Sequence, residues 1–313
     1  MRTRQLGSTD LHVFPLCLGG NVFGWTADEP TSFAVLDAYA AAGGNFIDTA
    51  DGYSAWVPGH VGGESETVIG NWMASRGNRS RIIVATKVGR HPQLKGLAPD
   101  TIQKGVDDSL RRLRTDYIDL YYAHADDPDT PLLDTMRTFD MLVRSGKVRH
   151  VAASNYTAPR LAEALETSAR EGLTSYVALQ PHYNLVFREE YEGPLRDLCA
   201  AHNLACLPYF ALGAGFLTGK YRPGVTVQSA RAGGANRYRD ERGERTLVEV
   251  EQIAHARGTT IPAVALAWLL HDPTIPAPIA SARTVAQLAE LLPSVDLELA
   301  TDEYAQLRRA STL

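Results

Sequence analysis

The sequence predicts an α/β protein built as a closed (β/α)8 TIM barrel with an N-terminal β-hairpin cap. Three observations carry that prediction. Strand-like and helix-like runs alternate along nearly the whole chain, and eight strand-like runs can be counted. Several of these runs end in a chemically capable residue, as expected where a parallel barrel carries its chemistry at the carboxyl ends of the strands. No Gly-x-Gly-x-x-Gly fingerprint accompanies the alternation, which argues against a doubly wound dinucleotide sheet. A chain of 313 residues can bury a large core, and barrels of about 250 residues commonly form one domain, so one domain over 1–313 is expected.

In chain order, residues Arg4 to Val13 read as a hairpin around a Gly/Ser/Asp turn, a cap and not a barrel strand. Pro15–Gly20 gives the first barrel strand, and an Ala-rich helix near Thr31–Ala42 ends at Gly43-Gly44. The second strand runs from Phe46 to Asp48. Then follow helix Glu64–Ser75, strand Ile82–Val88, helix Asp100–Arg114, strand Tyr117–His124 and helix Leu132–Ser145. Strand Val148–Asn155, helix Ala158–Arg170, strand Tyr176–Asn184, helix Glu190–Ala201 and strand Ala205–Tyr209 continue the alternation. After a long loop, Tyr221–Arg245, come helices Leu247–Arg257 and Ala263–His271, strand Thr274–Ala280 and helix Val285–Leu292. A last helix near Asp302–Arg309 packs outside, with little chain beyond it to fold over a pocket.

Composition narrows the function classes. A hydrophobic share of 44% and a charged share of 21% are ordinary for a globular protein, and a formal charge of −5 offers no basic field for nucleic acid. No apolar run approaches the roughly 20 residues that span a bilayer, and no opening stretch resembles a signal peptide, so no membrane partner and a cytoplasmic location are expected. Cys17, Cys199 and Cys206 lack metal-ligand spacing and read as buried thiols. The histidines show no paired spacing with carboxylates or thiols, so no metal is expected.

The chemistry concentrates at strand ends. Asp48 closes the second strand, Tyr53 follows on the loop after the Asp51-Gly52 turn, Lys87 closes the third strand and His124 the fourth. Taken singly, each is more often a cap, a packing residue or a satisfied rim residue. Brought to one rim, they suit carbonyl reduction. A tyrosine with an ordinary pKa of about 10 is a usable acid, a neighbouring ammonium lowers that pKa, and His124 supplies a hydrogen bond. Asp48 is expected to pair with Lys87 and keep it charged. Phe23, Trp25 and Trp56 lie on rim loops, either covering a substrate or anchoring those loops.

The words Phe46-Ile47-Asp48-Thr49-Ala50 with Tyr53, Ala85-Thr86-Lys87-Val88, Tyr122-Ala123-His124, Ala153-Ser154-Asn155 and Leu179-Gln180-Pro181-His182-Tyr183-Asn184 resemble the aldo-keto reductases over nearly the whole chain. Leu217 to Tyr221 resembles the branch of bacterial reductases and potassium-channel β-subunits. The resemblance implies an NADP(H)-dependent enzyme that reduces a small-molecule aldehyde or ketone, with Asp48, Tyr53, Lys87 and His124 catalytic.

The same resemblance places Gly20, Asn21 and Asp48 beside the cofactor, assigns Ser154, Asn155 and Gln180 to its carboxamide, and stacks Tyr209 on the nicotinamide. The run of small residues from Phe210 through Ala211, Leu212, Gly213 and Gly215 to Lys220 lets backbone amides approach an anion, and is assigned to the pyrophosphate. Arg231 is placed over the cofactor. Ser281, Arg283, Gln287 and Glu290 resemble the adenosine segment, and Arg283 suits a 2′-phosphate, hence NADP over NAD. Ser281 stands where relatives commonly have Gly, and Leu291 where many have Asn. Two rival functions stay open: a cofactor-sensing regulatory protein similar to the channel β-subunits, and a lyase barrel with Lys87 as Schiff-base nucleophile. Oligomeric state is open.

Overall fold

The computed structural model describes residues 3–222, 224, 227 and 232–312. It opens with a hairpin, β1 (Arg4–Gln5) paired antiparallel with β2 (His12–Val13). The barrel then begins with β3 (Cys17–Gly19), α1 (Glu29–Ala41), β4 (Phe46–Asp48), α2 (Glu64–Arg76) and β5 (Ile83–Val88). A short hairpin, β6 (Arg90–His91) with β7 (Leu94–Lys95), precedes α3 (Pro99–Leu113) and β8 (Ile118–Ala123). The chain continues through α4 (Leu132–Arg144), β9 (Val148–Ser154), α5 (Ala158–Glu171), β10 (Tyr176–Gln180), α6 (Pro194–Ala201) and β11 (Ala205–Cys206). It finishes with α7 (Ala232–Ala235), α8 (Glu241–Ala256), α9 (Ile261–Leu270), β12 (Ile279–Ala280), α10 (Val285–Leu291) and α11 (Thr301–Ala310).

Eight strands pair in parallel in the order β11-β10-β9-β8-β5-β4-β3-β12. The two ends of that order are joined by single backbone bonds, Cys206 N–H to Thr274 O (2.8 Å) and Ile279 N–H to Pro208 O (2.9 Å), so the sheet returns on itself as the expected barrel. β5 and β8 are buried at every position, as strands covered on both faces must be.

Apolar side chains divide into two cores by strand parity. Ile47, Val84, Tyr121 and Val151 face the helix layer, where they join Leu36, Trp72, Val106 and Phe139. Phe46, Ala85, Leu120, Tyr122, Ala152, Ala178 and Leu207 fill the interior, and Leu6, Leu11 and Val13 of the hairpin join them. The hairpin therefore plugs the amino-terminal end of the barrel, as its position in the sequence suggests. Asp119 holds the same end by accepting from Arg79, Arg149 and the Val84 amide at 2.8–3.0 Å.

Several elements differ from the sequence reading. The eighth strand is Ile279–Ala280, not Thr274–Ala280, because Pro276 and Pro278 remove alternate amide donors, and Pro208 does the same to the seventh strand. The helix expected from Glu190 starts at Pro194, after Gly193 with φ of 103°. The helix expected from Leu247 starts at Glu241, where the Asp240 side chain caps it by accepting from the Gly243 amide. The hairpin β6–β7 is new; strands of two residues leave no alternation to detect.

Gly70 offers a stability test. In mid-helix, alanine normally gains about 1 kcal/mol over glycine. Here a Cβ would sit 2.2 Å from Arg112 O and 2.7 Å from Leu113 C, because α2 rests directly on the end of α3. Gly70→Ala is expected to destabilise by about 1–3 kcal/mol, the range for overpacking. Chemical denaturation checks this; a gain in stability would mean that the two helices can separate freely.

Candidate functional site

Strand parity also builds the site. Cys17, Phe46, Ala85, Tyr122, Ala152, Ala178, Leu207 and Ile279 all belong to the interior core. Two residues further along each strand, on the same face, stand Gly19, Asp48, Lys87, His124, Ser154, Gln180, Tyr209 and Ser281. These eight ring the carboxyl end of the barrel. All but Lys87 line one cavity of about 610 Å³, which runs from Tyr53 and Trp56 at one end to Gln287, Glu290 and Leu291 at the other.

Lys87 is fully buried behind the cavity wall. Its Nζ donates to Asp48 Oδ1 (2.8 Å) and Oδ2 (2.7 Å), to Thr49 O (2.8 Å) and to Tyr53 Oη (3.0 Å). Burial alone would lower its pKa, but the Asp48 carboxylate and Tyr53 outweigh that and hold it above the ordinary lysine value. The expected pairing of Asp48 with Lys87 is therefore present, and Lys87 stays an ammonium.

Two electrostatic expectations are corrected. Burial pushes the Tyr53 phenol up to about 12; Lys87 opposes that push and Asp48 adds to it, so the ammonium does not bring the net value below 10. Nor does His124 bond Tyr53. The two rings meet edge to face with centroids 6.1 Å apart, and His124 Nδ1 has no hydrogen-bond partner among the described residues. Burial, Lys87 and Arg90 together hold His124 well below the usual histidine range, so its imidazole is neutral at pH 7.

The residues expected around a carboxamide are present but engaged. Gln180 Nε2 donates to Asp48 Oδ1 (2.9 Å), and Ser154 Oγ donates to Gln180 O (3.0 Å). Asn155, with φ of 57°, gives Nδ2 to His124 O and Ser154 Oγ, both at 2.9 Å, and its Oδ1 accepts from Tyr209 Oη at 2.8 Å. Both amide protons of Asn155 are thus used, leaving acceptor capacity on Oδ1. Gly20 and Gly213 are not among the residues lining the cavity. Gly20 lies below the rim, with its carbonyl accepting from Ser65 Oγ, and Gly213 packs toward Tyr238. Arg231 lies outside the described residues.

Around the cavity's far arm, the chain after β11 turns through Phe210, Ala214 and Gly215, with φ of 52°, 53° and 100°, into a 3₁₀ segment, Gly213–Thr218. Two non-glycine residues in left-handed conformations are a local cost of a kind that gathers at ligand sites. Ser281 Oγ donates to Asn21 Oδ1 (2.6 Å), joining the rims of the first and eighth strands. Thr218, within the run assigned to the pyrophosphate, lines the cavity, as do Arg90 and Tyr221, to which the sequence reading gave no role. Of the loop aromatics, Phe23 is fully buried and anchors its loop, whereas Trp56 is 51% exposed at the mouth, edge-on to Trp25 and Tyr53.

The Aldo/keto reductase family model matches residues 15–312. The chain belongs to the aldo/keto reductase family. It is similar to the norsolorinic acid reductase stcV of Emericella nidulans, 33% identical over 95% of this chain and 78% of that protein. It is also similar to protein tas of Escherichia coli, 31% identical over 98% of this chain and 96% of that protein. A third relative, the uncharacterized oxidoreductase YrpG of Bacillus subtilis, is 32% identical over 96% of this chain and 92% of that protein. This aldo/keto reductase is thus an oxidoreductase by family. No single described helix is long and apolar enough to cross a membrane. Cys17, Cys199 and Cys206 are free and buried, as read from sequence.

Asp51, on the loop between Asp48 and Tyr53, is 1% exposed, and neither carboxyl oxygen has a hydrogen-bond partner among the described residues. Burial and the nearby Glu66 push its pKa up to about 8. An unfolded carboxyl ionises near 3.8, so between about pH 4 and pH 8 the folded chain binds the extra proton and stability falls as pH rises, by about 1.4 kcal/mol per unit. Asp51→Asn removes this titration. Its melting temperature relative to the parent is expected to climb steadily from pH 4 to pH 8; a difference constant with pH would show that Asp51 ionises normally.

Proposed function

We propose that this aldo/keto reductase uses NADPH to reduce an aldehyde or ketone to the alcohol. The observation that carries the reading is the short array of Asp48, Lys87 and Tyr53 at the end of a cavity whose other arm holds Lys220 and Arg283. Among the described residues neither cation has an ion-pair partner: Lys220 lies over the Tyr221 ring, and the Arg283 backbone amide donates to Gln287 Oε1 (3.0 Å). Two unneutralised cations on one cavity fit the phosphates of a dinucleotide. Lys220 with the 210–219 turn would hold the pyrophosphate, and Arg283 a 2′-phosphate. Asn155 Oδ1 and Ser154 would meet the carboxamide, and Tyr209 would support the ring.

Bound there, the nicotinamide supplies the hydride. The chain's own part is to hold the carbonyl and deliver a proton. A phenol at about 12 is fully protonated through the physiological range, so Tyr53 is always loaded. As its oxygen takes on negative charge, the Lys87 ammonium 3.0 Å away already donates to it, so the charge forms against a fixed cation. Neutral His124, free at the cavity, would donate one hydrogen bond to the carbonyl oxygen, with no charge to titrate near pH 7. Lys87 as a Schiff-base nucleophile fits poorly, since its protons are engaged and its charge is stabilised.

Residues 217–221 support a finer placement near the bacterial and channel-β-subunit branch, and three unpaired thiols support a cytoplasmic setting. A regulatory role through cofactor sensing has no separate observation in its favour.

Two measurements test the reading. Tyr53→Phe is expected to lower kcat by at least the roughly 10²-fold of a lost general acid, with NADPH affinity retained; a variant that keeps most of its turnover removes Tyr53 from the chemistry. Arg283→Ala is expected to weaken NADPH binding by about 1.5–3 kcal/mol and NADH binding little. Fluorescence titration compares the two, and equal losses would detach Arg283 from the 2′-phosphate.

A further inference from the structure

Three cationic side chains line the cavity without an ion-pair partner among the described residues: Lys220, Arg283 and Arg90. The proposed dinucleotide accounts for the first two. Arg90 belongs to the other end. It opens the β6–β7 hairpin, which lies against the loop of the candidate acid so closely that a Cβ on Gly52 would sit 3.2 Å from Arg90 O and 3.3 Å from His91 Cα. Its charge is felt by His124 and by Tyr209, the residues flanking the place where a carbonyl would be held.

The same cavity is lined by Trp56, 51% exposed and edge-on to Tyr53 with centroids 6.1 Å apart. An exposed indole and a guanidinium without an ion-pair partner among the described residues give this cavity a wall that is both apolar and cationic. It suits a flat apolar body ending in an anion. The rest of the molecule argues the same way by contrast, because at a formal charge of −5 it has no general attraction for anions, so a single cation at the mouth is selective.

We infer that Arg90 binds a carboxylate on the substrate, and that the preferred substrates are aldehydes or ketones joined through a flat apolar body to a carboxylate. This rests on the reductase reading for the carbonyl, but not for the anion. Arg90 is a specificity residue here: it grips the end of the substrate away from the reacting carbon, and its planar fork can meet both carboxylate oxygens.

The test pairs 4-carboxybenzaldehyde with its methyl ester, methyl 4-formylbenzoate, under NADPH. The parent protein is expected to favour the acid in kcat/KM. In Arg90→Gln the acid-to-ester ratio of kcat/KM should fall roughly ten- to hundredfold, mostly through KM, with Arg90→Lys between the two. A ratio unchanged in Arg90→Gln overturns the inference. Calorimetric titration with terephthalate, with and without NADP+, reads the anion site without turnover. Weaker binding to Arg90→Gln supports it even if no carbonyl is reduced, an outcome that would sink the reductase reading alone; equal binding to both proteins overturns the anion site whatever the turnover.

Discussion

One buried ammonium organises the working end of this barrel. Lys87 sits at zero exposure, and an unpaired cation there would cost several kcal/mol, so everything within its reach is arranged to receive its protons. Asp48 accepts two contacts from it, Thr49 O a third and Tyr53 Oη a fourth. The network then travels round the rim: Asp48 takes Gln180 Nε2, Gln180 O takes Ser154 Oγ, Ser154 takes Asn155 Nδ2, and Asn155 reaches both His124 O and Tyr209. Six strands are tied by one chain of hydrogen bonds. The positions of Tyr53 and Tyr209 follow from that chain more than from packing, which explains how half-open side chains are kept in place.

Much of this was legible because a strand is a two-residue code. Once Phe46 and Ala85 are read as interior, Asp48 and Lys87 must share their face, and their meeting needs only that β4 and β5 be neighbours. The strands buried at every position, β5 and β8, were found almost to the residue. Elements governed by backbone chemistry were harder. Pro276, Pro278 and Gly193 shorten a strand and delay a helix without disturbing the hydrophobic pattern, and β6–β7 is too short to have one.

Site chemistry was legible in kind but not in balance. That Tyr53 would meet an ammonium could be read; that burial would outweigh the ammonium could not, since it depends on how completely the walls close. Asn155 and Gln180 were placed by resemblance, yet their amides already serve the protein. Arg90 gave no sequence signal, because an arginine just past a strand is usually a solvated charge, and only the fold brings it to the cavity that Trp56 also lines.

The closure of the barrel has a dynamic consequence. Between most neighbours the strands exchange a ladder of bonds, but the seventh and eighth are joined only at Cys206 and Ile279, with prolines interrupting both sides. This seam is the thinnest hydrogen-bonded joint in the wall, and local opening, where amide protons exchange with solvent without global unfolding, should begin there. The two segments that frame the far arm of the cavity, 210–220 and 281–291, spring from opposite sides of it. A ligand held by both would act as a strap across the seam, slowing its breathing, so occupancy of the cavity and integrity of the barrel are thermodynamically linked.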